Sequence, residues 1–385
     1  MTNIGSTSTG AHGAAPVYAI SAEDSKRIDV WRLWMALLVL FAHAYNVRLM
    51  VGDGVANMVE PPWLRAFQYV TTYIIARCST TSFALISAVL LYRKPFNWRK
   101  NAARKFKSLI VPMFLLTSFW IAFQAAVPYI PGLRNLMSTA TGRVADWTPA
   151  QWFTAYLGWT KLHAMPTLMY QLWFLRDLML MNLIAPAIKW VIDRIPRLFL
   201  CLLAALLVMK TDSSFHYYTV HQVFIFFCLG YYVVKYDLHL SDLDRIPWAA
   251  MAALYALAIA GGYLAQNYYH TISAVRGIPN LVGTLFFARC CTRIPDGKWL
   301  KRLLWLAQYN IAIYMFQERM YTFFKKLIHA LIADSVAQSL VQYWALPVVV
   351  GTLCVLIACF LRKYQPRLYA IITGTRYIPK TGPTG

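Results

Sequence analysis

Apolar runs of roughly 17 to 25 residues recur along almost the whole chain, and each is long enough for one helix to cross about 30 Å of hydrocarbon. They predict about ten membrane helices, over residues 29–49, 67–91, 109–130, 168–191, 198–209, 219–236, 248–266, 277–292, 303–324 and 341–361. The fifth run, LFLCLLAALLVM, spans the layer only if the flanking IPR or KTD is drawn in. Composition agrees: 59% of the 385 residues are hydrophobic, 14% are charged and 14 are Trp, with a mean hydropathy of +0.47. No soluble domain of this length normally shows these values. The expected fold class is all-α, a polytopic membrane bundle.

A net charge of +22 suggests nucleic acid in a soluble chain, but in a membrane protein the arrangement of the charges matters more than their sum. With the N-terminus in the cytoplasm, 24 of the 37 Lys and Arg fall on the inner side, including seven in RKPFNWRKNAARKFK. Nine fall on the outer side, among them Arg48, Arg65, Lys325 and Lys326, and Arg32, Arg77, Arg176 and Arg319 lie within spans. This asymmetry follows the positive-inside rule, places both termini in the cytoplasm and requires an even number of helices. Residues 1–25 read as a disordered cytoplasmic tail without a signal peptide, residues 26–362 as the transmembrane domain, and 363–385 as a basic cytoplasmic tail. The seven cysteines show no metal or redox spacing and are expected to pack. No internal repeat is evident, and the longest loop, 131–167, leaves no room for a soluble second domain.

Arg32 and His43 share the first span, DVWRLWMALLVLFAHAYN. Eleven positions at about 100° each make three turns plus roughly 20°, so both project from one helix face, about 16 Å apart. One explanation is that Arg32 snorkels to a headgroup and His43 caps the far end. The other is function: His43 is the one histidine of eight predicted deep in a span, and an imidazole can deprotonate a hydroxyl and return the proton to a leaving group. Arg32 is too distant to orient His43 and better placed to hold an anion.

Arg32, ten residues and then His43 resembles the signature of the acyltransferase 3 family, integral membrane enzymes that move acyl groups onto bacterial glycans. RCSTTSFALISAVLLYR (77–93) resembles that family's second-helix pattern, with Ala88 in place of a Gly. Arg104 to Lys107 before Pro112 is similar to its Arg-x-x-Arg preceding a proline-bearing third helix, with Lys107 replacing the second Arg. YQLWFLRDLMLMNLIAPAI (170–188), FIFFCLGYYVVK and YNIAIYMFQE follow in the family's order, Gln317 standing where many relatives have His. The resemblance covers roughly residues 27 to 361 and implies a ten-helix layout.

It further implies transfer of an acyl group, most simply acetyl from acetyl-CoA, to a hydroxyl of an exopolysaccharide or other cell-surface glycan at a bacterial inner membrane, with no metal. His43 would act as base or carry the acyl group covalently. Arg32, with Arg99, Lys100, Arg104, Lys105 and Lys107, would hold the donor's phosphates, plain anchoring to anionic lipid being the alternative for the basic run. Asp29 lies one turn before Arg32 and is placed either to pair with it or to favour the helix dipole. Arg77, Arg176, Asp177, Glu318 and Arg319 are costly in lipid and must face a partner or a wet cavity. Glu318 is a candidate partner for His43 or an Arg. Gln317, Trp173 and Phe174 are substrate or channel candidates, packing being the competing role for the aromatics, and Trp147, Trp152, Trp159 and His163 form a possible outer glycan contact or an interfacial belt. Expected partners are a glycan or lipid-linked oligosaccharide, membrane lipids and other polysaccharide-assembly proteins, with no nucleic acid. Two other classes fit the residues alone: a transporter or flippase for a lipid-linked glycan, whose charges would line a path, and a glycan polymerase or lipid-modifying enzyme.

Overall fold

The computed structural model describes residues 18–45, 48–51, 54–57, 59–94, 96–130, 143–158, 168–208, 215–268 and 274–375. Helix α1 (Ala22–Ala44) starts inside the segment 1–25 expected to be a tail, because Ser21 caps it: its hydroxyl accepts from the Asp24 amide at 2.9 Å, and Glu23 and Asp24 sit in the positive first turn. It stops at Ala44, short of the expected 49, where Tyr45 turns extended. A short hairpin follows within the otherwise all-α fold: β1 (Arg48–Val51) and β2 (Gly54–Asn57) pair antiparallel, with Val51 opposite Gly54.

Helix α2 (Pro62–Tyr92) runs through a π-helical turn at Val70–Ile75, closed by the Ala76 amide on the Thr71 carbonyl at 2.9 Å. Arg77 follows that turn directly. Helix α3 (Trp98–Tyr129) absorbs much of the basic run that reads as a loop. Asn97 caps it by accepting from the Lys100 amide at 3.1 Å, and a second π-helical turn, Phe106–Ile110, precedes Pro112. A proline ring crowds the carbonyl four residues back and supplies no amide to it, so the helix widens there instead of breaking. The widened turn is also a docking point: Gly374, in the left-handed region at φ 64°, lies against the Ser108 backbone so closely that a Cβ would collide with it.

Then come α4 (Pro149–Tyr156), α5 (Trp173–Arg194), α6 (Pro196–Val208), α7 (Phe215–Lys235), α8 (Trp248–Tyr268), α9 (Ala274–Thr292), α10 (Lys298–Ala307), α11 (Asn310–Leu331), α12 (Val336–Tyr364) and α13 (Pro366–Thr373). The predicted ninth span, 303–324, is displaced. A break at Gln308–Tyr309 separates the amphipathic α10, whose Leu300 is buried and Trp299 exposed, from α11, which continues to Leu331. Lys325 and Lys326, expected on the outer side, therefore lie in the helix and are buried. The tail beyond residue 362 likewise includes α13, which packs on α3 and α12.

Among the described residues, four helices are long and apolar enough to cross a membrane: α2, α3, α8 (over Trp248–Ala265) and α12. Helices α1, α5, α7, α9 and α11 have 19 to 23 residues each, and α7 is apolar over Val220–Lys235. Helix α1 is central, packing against α2, α9, α10, α11 and α12. The Tyr321 hydroxyl donates to the Leu40 carbonyl at 2.8 Å and ties α11 to it. Helices α2 and α7 approach most closely at Gly230, where a Cβ would stand 2.5 Å from the Leu85 carbonyl oxygen and 2.7 Å from the Ala88 Cβ. Arg289, counted on the inner side by charge alone, is buried and pairs with Asp244, which also accepts from the Thr292 hydroxyl at 2.7 Å.

Candidate active site

The site follows α1. Midway along it, Arg32 pairs with Asp29 at 3.4 Å, and the Asn310 side chain donates to the Asp29 carbonyl at 3.5 Å. Arg32 lines a cavity of about 170 Å3 between α1, α2, α3, α5 and α11, together with Lys105, Ser87, Phe174, Asn310 and Tyr314. Two cations from helices far apart in sequence thus share one small space. Its aromatic walls are in register, with Phe174 ring centroids 6.3 Å from Phe83 and 6.4 Å from Tyr314. Of the other residues expected to hold phosphate, Arg99, Lys100, Arg104 and Lys107 are exposed and outside the lining, and Arg104 hydrogen-bonds Asn101 at 3.1 Å.

His43 lies in the last turn of α1 and is absent from that lining. The final carbonyls of a helix have no partner within it, and here the buried Lys325 ammonium donates to the His43 carbonyl at 2.6 Å. Lys325 and Arg77 are both electrostatic neighbours of the imidazole. The Arg77 guanidinium also stacks over the Tyr73 ring at 5.4 Å. His43 therefore sits in a cationic setting fixed from two other helices. Lys325 escapes sequence reading because two lysines ending an apolar run look interfacial, and only its pairing with the end of α1 reveals its place.

The remaining candidates separate by their partners. Glu318 is buried and pairs with Arg319 at 3.4 Å, accepts from Thr322 at 3.2 Å and acts electrostatically on Lys325; it is therefore a neighbour of the lysine that holds His43. Arg319 faces the Trp120 ring at 6.0 Å. Gln317 is fully buried, and its side-chain amide has no hydrogen-bond partner among the described residues. Arg176 and Asp177 are buried and pair with each other at 2.8 Å, and Arg176 also donates to the Leu157 carbonyl, which ties α5 to the end of the α4 segment. Trp173 is buried in the main core, edge-on to Phe174 at 5.9 Å. Trp147 packs on Trp152 at 5.3 Å with Trp147 buried and Trp152 exposed, whereas Trp159 and His163 lie outside the described residues.

An anionic group would thus meet two cations beside Arg32 and Lys105, and an imidazole stands three turns along the same helix among positive charges. The family model of the acyltransferase domain matches residues 25–363, and the chain belongs to this acyltransferase 3 family. It is 25% identical over 257 residues to the succinoglycan biosynthesis protein ExoH of Rhizobium meliloti (strain 1021). That match covers 66% of this chain and 64% of the relative, so the chain spans just under two thirds of the relative's length. No solved structure matches.

Proposed function

We propose that this member of the acyltransferase 3 family is a ten-helix inner-membrane O-acyltransferase, with both termini cytoplasmic, that moves an acetyl group from acetyl-CoA to a hydroxyl of an exopolysaccharide or related glycan. The observation that carries the reading is the meeting of Arg32 and Lys105 in one cavity on the helix that ends in His43. Two cations and a hydroxyl-lined wall suit the phosphates of a nucleotide thioester. The relative's part in succinoglycan biosynthesis supports a glycan as acceptor.

In this reading His43 removes the proton from the acceptor hydroxyl as that oxygen attacks the thioester carbonyl. A tetrahedral oxyanion forms, the carbon–sulfur bond breaks, and the proton passes from His43 to the departing thiolate. The charges of Arg77 and Lys325 favour the negative charge that develops on oxygen and then on sulfur. Lys325 also fixes the end of α1, so the imidazole does not drift with a fraying last turn.

The test gives membranes carrying wild type or His43→Ala radiolabelled acetyl-CoA and the purified glycan. Label passes to the glycan with wild type and not with the variant. Undiminished transfer by His43→Ala overturns the assignment.

A further inference from the structure

A second cavity, of about 310 Å3, lies on the other side of α2 from the Arg32 cavity, with Ile86 and Leu90 shared between the two linings. Ile28 of α1, Val89 of α2, Val233 of α7 and Leu285 and Ala288 of α9 make its walls apolar. Two wall residues break the pattern: the Thr284 hydroxyl is hydrogen-bonded to that of Thr81 at 3.0 Å, but Trp31 is 4% exposed and its indole N–H has no acceptor among the described residues. A buried donor without an acceptor is costly and points to a ligand that brings one.

The mouth has its own chemistry. Tyr18, Asp24, His239 and Asp242 border the cavity, and Tyr18 feels the charges of Asp24, Asp237 and Asp242 together. Three of only 15 acidic residues thus gather at one opening of a chain whose net charge is +22. The Tyr18 ring stacks on His239 at 5.3 Å, and its hydroxyl donates to the Leu238 carbonyl at 2.6 Å, closing one side of the opening. Arg245 stands 3.4 Å from Asp242 and is exposed.

We propose that this cavity binds one acyl chain of a phospholipid whose headgroup carries a primary ammonium, as in phosphatidylethanolamine. The chain fills the apolar space, an ester carbonyl accepts from Trp31, the ammonium faces the carboxylates of Asp24 and Asp242, and Arg245 faces the phosphate. The carboxylates repel an anionic lipid or a nucleotide thioester, which separates this site from the cationic cavity across α2. The cavity volume falls at the low end of small-ligand pockets, about 300 to 1,000 Å3, as a single chain requires.

Full-length protein, purified in mild detergent from nanodiscs of equal phosphatidylethanolamine and phosphatidylglycerol, is weighed intact by native mass spectrometry. Wild type retains one phosphatidylethanolamine in preference to phosphatidylglycerol. Trp31→Phe lowers the retained fraction about three- to tenfold, Ala288→Leu removes it by filling the cavity, and Asp24→Asn with Asp242→Asn abolishes the preference. Equal retention of the two lipids by wild type overturns the proposal without recourse to any variant, as does full retention by Trp31→Phe and Ala288→Leu.

Discussion

Replacing Lys325 with Met keeps much of the side chain's bulk and removes the donor that holds the end of α1. The lysine is 3% exposed and its ammonium is 2.6 Å from the His43 carbonyl oxygen. A hydrogen bond from a charged donor contributes about 1.5 to 3 kcal/mol, and each 1.36 kcal/mol is about tenfold in rate. If the bond serves to hold the imidazole in its reacting position, kcat falls roughly 10- to 150-fold while the KM for acetyl-CoA stays within about twofold, because Lys325 does not line the donor cavity. The assay is initial-rate transfer of label from acetyl-CoA to the glycan, with protein amounts matched by monodisperse elution from size exclusion. Lys325→Gln, which keeps a donor but not the charge, should lose less than Lys325→Met if the bond to the His43 carbonyl is what counts. A loss of kcat under about threefold for Lys325→Met, or equal losses in the two variants, refutes the positioning role.

Arg32→Lys preserves the charge but not the two-pronged geometry, so the KM for acetyl-CoA rises with folding retained, as read from the concentration dependence of transfer. Lys105→Ala weakens donor use more than Arg99→Ala or Lys100→Ala, since Lys105 alone of the three lines the cavity; equal effects would place the donor on the exposed helix face. Burial, and then the charges of Asp24, Asp237 and Asp242, push the Tyr18 hydroxyl up to about 12 from an ordinary 10. Because the folded value lies above the unfolded one, this contribution to stability is complete below about pH 10 and is lost as pH rises through about 12. Thermal unfolding in detergent should therefore weaken over that interval, and less so for Tyr18→Phe. Gly230→Ala forces α2 and α7 apart at the Leu85 carbonyl and lowers stability by about 1 to 3 kcal/mol, measured as a reduced melting temperature.

Long apolar runs made most helices legible from sequence, and the errors have particular causes. Hydropathy merges the apolar face of α10 with α11, so the break at Gln308–Tyr309 is invisible and Lys325 and Lys326 read as loop charges. The basic residues before Pro112 read as a loop for the same reason, although Asn97 and the run WRKNAARK provide a cap and helix-favouring residues. The hairpin after α1 has its signal in VGDG, where a turn sequence separates two short strands. For the site, helical periodicity offered the Asp29–Arg32 pair as one of two readings, and the pair forms at 3.4 Å. The meeting of Arg32 with Lys105, and of Lys325 with His43, depends on which helices pack together, and no local pattern encodes that.

The polarity of the helices that bear the site bears on how the molecule is made. Among the described residues, the four helices long and apolar enough to cross a membrane do not include α1 or α11. Helix α1 leaves the ribosome well before α11, and the lysine that completes its end lies 282 residues further on. At about 5 to 20 residues per second, that interval is on the order of 15 to 55 s. For that time the last turn of α1 lacks the ammonium that the His43 carbonyl accepts from, whereas Arg32 already has Asp29 within its own helix. Synthesis of α11 is then what supplies a donor to the last turn of α1, so a chain that stops short of α11 lacks that bond.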